Sequence, residues 1–314
     1  MGRRPRPRGP VHDGVLVVDK PAGPTSHDIV DEVRRAVGHQ RVGHTGTLDP
    51  AATGVLVLCV GRATKLVRFL QAGRKTYAAQ VRLGVSTTSQ DADGEVVSQI
   101  DASHLDEHTV CEALMRFQGT FSQLPPMVSA VKVDGQRLHE AARRGEEVER
   151  EPRKITVDSI VLDGFEAGER PRLSFLVTCS AGTYVRTLAH DLGDELGVGG
   201  SLESLRRLAN GPFVIDEAVS LDEVSAAAER GDTPRLLLGP PEAVRRALAT
   251  VEVTDTDLIR RLAQGGRLPA QGLDGPFAVV APTPEGERLV GVYADRPDGE
   301  AGSQLVWTRP EELS

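Results

Sequence analysis

The chain contains 314 residues, of which 39% are hydrophobic and 26% are charged. This length and composition are typical of a globular protein with about two domains and its own hydrophobic core. The sequence contains no run of ~18 apolar residues, so it predicts no membrane span. The formal net charge of −8 does not exclude a nucleic-acid partner, because residues 1–75 carry 13 Lys and Arg side chains against 6 Asp and Glu side chains.

The N-terminal region is expected to begin with a disordered arm. Residues 1–11 are basic and rich in proline but lack the apolar stretch of an export signal. The three widely spaced cysteines suit buried free thiols in a reducing compartment, so the sequence predicts a cytoplasmic protein. Residues 15–19 form a predicted strand, and Thr25 or Ser26 is expected to cap a helix that runs to about Val37.

A polar, Gly-rich loop at residues 43–54 follows this helix and precedes an apolar run of strand length. Residues 63–70 have a helical pattern. Residues 75–83 alternate between apolar and polar positions, which predicts a strand with one buried face. The apolar positions of that face are Tyr77, Ala79, Val81 and Leu83.

The middle of the chain interleaves further strands and helices. The predicted elements are a turn at 91–94, a helix at 106–117 that Gly119 ends, a mobile polar excursion at 127–152, strands at 155–162 and 173–179, and a helix capped by Thr183 that runs to Leu196. Because these elements do not repeat as regular βαβ units, the sequence predicts an α+β fold with a mixed, largely antiparallel sheet.

The composition changes after about Pro212, where the chain becomes acidic and rich in alanine. Residues 215–248 are expected to form linker helices. From Val251 onward, short apolar runs are separated by Gly and Pro, which predicts a small β-rich domain. The predicted organisation is therefore an arm at 1–11, a main domain at 12–248 and a C-terminal domain at 249–314.

The loop at residues 43–54 has the sequence GHTGTLDPAATG. It presents one carboxylate, one imidazole and several hydroxyl groups just before a buried strand, as active-site loops often do. The phosphate-binding pattern GxxxxGK[ST] is missing from it, and the hydrolase motif GxSxG is missing from the chain. Taken alone, the loop could equally be an ordinary turn in which Asp49 or Thr53 caps a neighbouring element.

Four further segments make the functional interpretation specific. They are Lys20-Pro21, Lys75-Thr76-Tyr77, the run GTYVRTL at residues 182–188, and Leu205-Arg206-Arg207-Leu208. Together with the loop, these segments resemble in order the motifs of the TruB family, the bacterial tRNA pseudouridine-55 synthases. The resemblance covers about residues 12–215. It implies the pseudouridine synthase fold with an inserted thumb at 127–152, and a PUA-type RNA-binding domain at 249–314.

The resemblance implies isomerisation of uridine to pseudouridine at position 55 in the T loop of tRNA. The target base would be flipped out of the RNA, its N1–C1′ bond broken, and the base rejoined through C5. Asp49 is implied as the catalytic carboxylate, acting either as a nucleophile at C1′ or as a base. The reaction has no net redox change, so the resemblance implies no cofactor and no metal.

Two substrate-binding residues follow from the resemblance beside Asp49. Tyr77 matches a tyrosine that stacks on the target uracil, and its hydroxyl could assist removal of the C5 proton. Arg186 matches an arginine that pairs with the catalytic aspartate and keeps it ionised. Read without the family, Tyr77 would be a core residue and Arg186 a surface residue of a helix.

The remaining site residues have weaker local signals. Tyr184 is implied to line the pocket and Leu205 to form its floor, although Leu205 alone would read as core. His44 is implied to stack within the RNA loop after base flipping, or else to bond to the backbone of its turn. Lys20 and Lys65 are expected to contact phosphate or to hold local structure. Two glycines are expected to shape the loop: Gly43 and Gly46.

The expected partner is the T arm of tRNA, gripped on one side by the thumb, and the expected state is a monomer without a membrane partner. The thumb is typical of stand-alone members of the family, so no guide RNA is expected. Its basic residues are Lys132, Arg137, Arg143, Arg144 and Arg150. Three alternatives stay open: an RNA-folding helper, a guide-dependent synthase acting on ribosomal RNA, and a sugar enzyme that pairs Asp49 with a second carboxylate.

Overall fold

The computed structural model describes residues 12–126, 132–133, 136–137, 150–284 and 286–313. The predicted N-terminal arm and most of the predicted thumb lie outside these residues. The α-helices of the described residues are α1 (Ser26–Ala36), α2 (Val67–Leu70), α3 (Glu107–Met115), α4 (Val185–Glu195), α5 (Leu221–Arg230), α6 (Pro240–Ala247) and α7 (Thr256–Ala263). None of these helices is long and apolar enough to cross a membrane.

The strands are numbered in chain order. Those of the N-terminal half are β1 (Gly14–Lys20), β2 (Val42–His44), β3 (Thr53–Val60), β4 (Lys75–Leu83), β5 (Val85–Thr87), β6 (Val96–Gln99), β7 (Gly119–Gln123), β8 (Lys132–Val133) and β9 (Gln136–Arg137). Those of the C-terminal half are β10 (Arg153–Glu166), β11 (Arg172–Cys179), β12 (Gly200–Asn210), β13 (Phe213–Val214), β14 (Ala249–Glu252), β15 (Leu268–Pro269), β16 (Pro276–Thr283), β17 (Gly286–Asp295) and β18 (Glu300–Val306).

A nine-stranded sheet organises the main part of the molecule. Its order is β1-β3-β12-β4-β11-β10-β7, with β2 paired to β3 and β13 paired to β12. These pairs are antiparallel except β3 with β12, which run parallel. The sheet and the helices packed on it confirm the predicted mixed α+β fold. Strands β3, β12 and β4 are neighbours, so three of the five motif segments lie side by side in the sheet: the loop that leads into β3, residues 75–77 of β4 and residues 205–208 of β12.

The strand and helix signals of the sequence explain the best-predicted elements. The alternating pattern of β4 holds, because Tyr77 and Leu83 lie on its buried face and Gln80 is exposed. Helix α1 begins with a capping box in which Thr25 Oγ1 accepts a hydrogen bond from the Asp28 N–H, and the Asp28 carboxylate accepts one from the Thr25 N–H.

Three predicted boundaries are wrong. Residues Gly61–Leu66 form a 3₁₀ helix, and only Val67–Leu70 of the predicted helix is α-helical. Helix α3 ends at Met115, and Gly119 instead begins β7. Thr183 does not cap α4, because Tyr184 occupies the N-cap position without a side-chain cap.

Gln123, which lies 61 residues before Tyr184, replaces the predicted cap of α4. Its side-chain oxygen accepts a hydrogen bond from the Tyr184 N–H over 2.8 Å, and its side-chain nitrogen donates to the Tyr184 carbonyl over 3.1 Å. The Gln123 side chain is buried, so both bonds are shielded from water. The start of α4 is thus fixed to the edge strand β7 by a distant side chain.

A second, five-stranded sheet of order β14-β16-β17-β18-β15 begins at Ala249. Its residues Val280 and Val292, together with Trp307 just after β18, share a buried hydrophobic cluster with Val15 and Val57 of the first sheet. The two sheets are therefore joined by a common apolar core. The predicted division of the chain at residue 249 stays a prediction, as does the PUA-like character of this sheet.

Candidate active site

The loop between β2 and β3 carries Asp49 and is held by donors from α1 and β1. Ser26 Oγ donates to the Leu48 carbonyl and accepts from the Leu48 N–H. The ammonium group of Lys20, fully buried at the end of β1, donates to the carbonyls of Pro21, Pro50 and Ala52 over 2.8–2.9 Å. A loop without regular secondary structure thus has its backbone carbonyls satisfied by buried side chains.

Asp49 projects from this loop towards Arg186 in the first turn of α4. The Asp49 carboxylate oxygen Oδ2 lies 3.4 Å from Nη2 of Arg186. The Asp49 side chain keeps 50% of its surface accessible, whereas Arg186 keeps 5%. Arg186 is therefore a buried counterion, and Asp49 is the member of the pair that an incoming molecule can reach.

Asp91, which the sequence analysis did not single out, is a second carboxylate partner of Arg186. Its Oδ2 lies 3.1 Å from Arg186 Nη1, and its Oδ1 accepts a hydrogen bond from Ser89 Oγ. The residue lies in the turn that the sequence predicts at 91–94. The sugar-enzyme alternative requires a second carboxylate that can act beside Asp49, and Asp91 is already engaged by Arg186 and Ser89.

The electrostatic environment of Asp49 contains opposing effects. Desolvation by the surrounding protein raises the pKa of Asp49 above its ordinary value, even though half of the side-chain surface is accessible. The positive charges of Arg186 and Lys20 lower this pKa, and the negative charge of Asp91 raises it. The carboxylate is therefore neither strongly stabilised as an anion nor left without a counterion, as suits a group that reacts.

A cleft of about 440 Å³ opens beside Asp49. This volume lies in the range of sites for small molecules or single nucleotides. Its walls include Leu48, Tyr77, Tyr184, Leu205 and Arg207. Tyr77 comes from the centre of β4 and Leu205 from β12, so an aromatic ring, an aliphatic side chain and a carboxylate face one cavity.

Tyr77 and Tyr184 differ in their polar environment. Tyr77 is buried, and burial raises the pKa of its hydroxyl while the nearby charge of Arg207 lowers it. Its hydroxyl is therefore a neutral proton donor at neutral pH. Tyr184 is partly exposed, and its ring centroid lies 5.9 Å from the guanidinium carbon of Arg186. Tyr184 thus contacts the same cation that Asp49 contacts.

The structure brings together Gly46, Asp49, Tyr77, Tyr184, Arg186 and Leu205, which all line the cleft. His44 lies in β2, where its Nδ1 accepts a hydrogen bond from the Gly46 N–H over 3.3 Å, and burial lowers its pKa. Lys65 is exposed in the 3₁₀ helix that follows β3. Gly43, His44, Lys20 and Lys65 are not among the residues that form the walls of the cleft.

Two protein-family models match the chain. Residues 34–185 match the model described as "TruB family pseudouridylate synthase (N terminal domain)". Residues 186–253 match the model described as "tRNA pseudouridylate synthase B C-terminal domain". The matched segments include Asp49, Tyr77 and Arg186, the central residues of the cleft.

Curated proteins and solved structures are similar to the chain over most of its length. A tRNA pseudouridine synthase B of Symbiobacterium thermophilum is 52% identical over 74% of this chain and 81% of the relative. One of Thermobifida fusca is 46% identical over 86% of this chain and 91% of the relative. A chain of a Cbf5–Nop10–Gar1 crystal structure has a TM-score of 0.72 and 25% identity, covering 96% of this chain and 86% of that chain.

Proposed function

Because the chain belongs to the TruB family of pseudouridylate synthases, we propose that Asp49 is the carboxylate with which it converts uridine to pseudouridine. The reaction that the family performs on tRNA is the isomerisation of uridine to pseudouridine, and it is the reaction of this chain. The role of Asp49 is supported by one observation. It is the accessible carboxylate of the cleft, held against the buried guanidinium of Arg186.

The proposed chemistry begins with the target uridine flipped out of the RNA and into the cleft. Its base lies against the ring of Tyr77, next to the aliphatic side chain of Leu205 from the neighbouring strand. The Asp49 carboxylate acts at the ribose, as a nucleophile at C1′ or as a base. The N1–C1′ bond breaks, the base turns, and a C5–C1′ bond forms. Where Asp49 acts as the nucleophile, its bond to C1′ forms as the N1–C1′ bond breaks, and it breaks as the C5–C1′ bond forms.

The final step of the reaction is the loss of the proton from C5 and the gain of a proton at N1. Burial keeps the Tyr77 hydroxyl protonated, since its pKa is raised. The neutral hydroxyl does not act as a phenolate base, so it takes up the C5 proton only as it passes its own proton to water, and solvent supplies the proton at N1. The Arg186 guanidinium, paired with Asp49, stabilises negative charge at the carboxylate while the reaction proceeds.

We also propose that the target is position 55 in the T loop and that the enzyme works without a guide RNA. Guide independence is supported by the 52% and 46% identity to tRNA pseudouridine synthases, against 25% to the chain from the Cbf5–Nop10–Gar1 complex. A cytoplasmic monomer is proposed with it. The buried free thiols of Cys59 and Cys179 suit a reducing compartment.

The second sheet is proposed as a PUA-like RNA-binding unit that extends the tRNA-binding surface from the cleft. Arg68 supports this proposal, because it lines the cleft and its guanidinium donates a hydrogen bond to the Gln304 carbonyl in β18. A tRNA bound at the cleft would therefore lie close to this sheet. The shared hydrophobic core keeps the two sheets in contact.

The proposal is tested by tritium release from a tRNA transcript labelled at C5 of its uridines. Wild type should release about one equivalent without added guide RNA, and a transcript with cytidine at position 55 should release none. Asp49→Asn should release none while binding tRNA within several-fold of wild type. Asp31→Asn, which changes an exposed aspartate of α1, is the matched control and should behave as wild type.

Other results would change the assignment. Tritium release from the transcript with cytidine at position 55 would show that the target uridine lies elsewhere in the tRNA. Release by Asp49→Asn at the wild-type rate would remove Asp49 from the chemistry. Binding and refolding of tRNA without any release by wild type would favour the RNA-folding role, and a requirement for guide RNA would favour the guide-dependent role.

A further inference from the structure

We propose that Arg207 is a positioning residue that fixes the loop carrying Asp49 in its reactive conformation. Arg207 follows Leu205 in β12, and the sequence analysis assigned it no role. The inference rests on the proposed function of Asp49, because the position of the loop affects the reaction rate only if the loop carries the reacting group. Arg207 does not act on the substrate in this proposal. It acts through the backbone of the loop.

The guanidinium of Arg207 is buried, with 1% of the residue exposed, and its three nitrogen atoms donate to three backbone carbonyls. Nε donates to Val55 over 2.7 Å, Nη1 to Thr47 over 3.2 Å, and Nη2 to Gly46 over 3.1 Å. Gly46 and Thr47 lead into Asp49, and Val55 lies in the strand that leaves the loop. One planar group therefore joins the entry of the loop to its exit.

Lys20 and Ser26, the other buried side chains that donate to carbonyls of the loop, hold a different part of it. Lys20 binds the carbonyls of Pro50 and Ala52, after Asp49, and Ser26 binds the backbone of Leu48. In the segment before Leu48, buried Asn210 donates to the Thr45 hydroxyl, and Arg207 is the side chain that donates to the Gly46 and Thr47 carbonyls. Loss of its guanidinium would leave carbonyl groups of this segment without a buried donor, so the backbone before Asp49 would shift to reach water.

The backbone of Arg207 adds a second constraint. In the sheet, Arg207 lies between Gly54 of β3 and Tyr77 of β4. Gly54 has a φ of +98°, and a Cβ atom built on it would lie 2.2 Å from the Arg207 carbonyl oxygen. The strand that supplies the guanidinium thus touches the end of the loop directly and neighbours the strand of Tyr77. Displacement of β12 at Arg207 would therefore disturb both the end of the Asp49 loop at Gly54 and the strand that carries Tyr77.

The neighbouring residue Arg206 provides a matched control. It lies on the opposite face of β12, keeps 41% of its side-chain surface exposed, and pairs with Asp19 through both terminal nitrogens. Arg206→Lys removes the same planar group from the same strand. Any general effect of losing an arginine from β12 should therefore appear in this variant as well.

The test measures the single-turnover rate of pseudouridine formation in Arg207→Lys with enzyme in excess over tRNA. A lysine keeps the charge but cannot reach three carbonyls at once. We expect the saturating rate constant to fall about 10²-fold, as small misplacements of reacting groups do. The dissociation constant for tRNA should stay within about threefold of wild type. Arg206→Lys should retain the wild-type rate constant within about threefold.

This measurement separates positioning from a loss of folded enzyme. Partial unfolding raises the enzyme concentration needed for half the maximal rate but leaves the saturating rate constant unchanged. Arg207→Gln, assayed well below its melting temperature, is the second variant and should also show a reduced rate constant. A wild-type rate constant in either folded variant would overturn the proposal. Failure of both variants to fold would also overturn it, in favour of a purely structural role.

Failure of this inference is distinguishable from failure of the proposed function. If Arg207→Lys retains the wild-type rate constant while Asp49→Asn is inactive, Asp49 keeps its role and only the positioning role of Arg207 is lost. If Asp49→Asn is active, the loop does not carry the reacting group. A slow Arg207→Lys variant would then need another explanation.

Discussion

Nη1 of Arg186 lies 3.1 Å from Oδ2 of Asp91, while Nη2 of the same guanidinium lies 3.4 Å from Oδ2 of Asp49. Asp91 is 18% exposed at its side chain and lies in a turn that is tied to β12 by the hydrogen bond from the Ala92 N–H to the Leu202 carbonyl. The arginine is thus held by a fixed partner, and its other terminal nitrogen faces the more exposed Asp49. Asp91 orients the cation that the proposed chemistry uses.

Substitution of Asp91 by asparagine should therefore slow catalysis without weakening tRNA binding. The amide keeps the size of the side chain but loses the charge that orients Arg186, so we expect a decrease of about 10–100-fold in the single-turnover rate. Rapid-quench tritium release measures this rate, and filter binding measures affinity. Asp93→Asn changes an exposed residue of the same turn and serves as the control. An unaltered rate in Asp91→Asn would show that Arg186 needs no second partner.

As the pH is lowered, the reaction rate should begin to decrease at a pH above the ordinary pKa of an aspartate. The carboxylate of Asp49 must be ionised to act, and desolvation raises its pKa. Protonation therefore inactivates the enzyme as the pH falls through this raised pKa, before an exposed aspartate would titrate. Single-turnover rates across the acid range measure the effect, with circular dichroism to verify folding. An acid limb at or below pH ~4 would contradict a raised pKa.

Two substitutions of Tyr77 should separate the ring from the hydroxyl. Tyr77→Leu removes the aromatic face, and the loss of about 1–3 kcal/mol of stacking corresponds to about 5–150-fold weaker productive binding of the flipped base. Tyr77→Phe keeps the ring and should mainly slow the release of tritium from C5. Comparing bond isomerisation with tritium release in each variant tests this. Equal losses in the two variants would mean that the ring makes no separate contribution, and a Tyr77→Phe variant that releases tritium at the wild-type rate would mean that the hydroxyl makes none.

Lys20→Met should lower the free energy of unfolding by about 2–4 kcal/mol, because three backbone carbonyls lose a buried charged donor. Urea denaturation measures this change. Lys65→Met, which alters an exposed lysine, should change stability by less than about 0.5 kcal/mol. A Lys20→Met protein as stable as wild type would show that water replaces the ammonium group among these carbonyls.

Local sequence patterns were sufficient for the elements that position the site. The alternation of residues 75–83 predicted β4 and its buried face. The sequence Thr25-Ser26 predicted the start of α1, because a helix cap depends on residues only three positions apart. In both cases the deciding interactions are local, and so they are visible in the sequence itself.

The residues that sequence reasoning missed act over long separations. Asp91 meets Arg186 across 95 residues, and Arg207 meets Val55 across 152 residues. A cation that binds backbone carbonyls leaves no sequence signal at its acceptors, since any residue supplies a carbonyl. The Thr183 cap failed for a related reason, because Gln123 on β7 supplied the bonds instead. Tertiary contacts decided these positions.

The parallel pairing of Gly54 with Arg207 bears on the order in which the protein assembles during synthesis. Strands β1 and β3 can pair early in synthesis, since both lie within the first 60 residues. The loop between β2 and β3 gains its Arg207 contacts only after β12 has left the ribosome. A nascent chain therefore contains Asp49 long before Arg207 holds the loop that carries it, and activity should arise late in folding, once this non-local pair has closed.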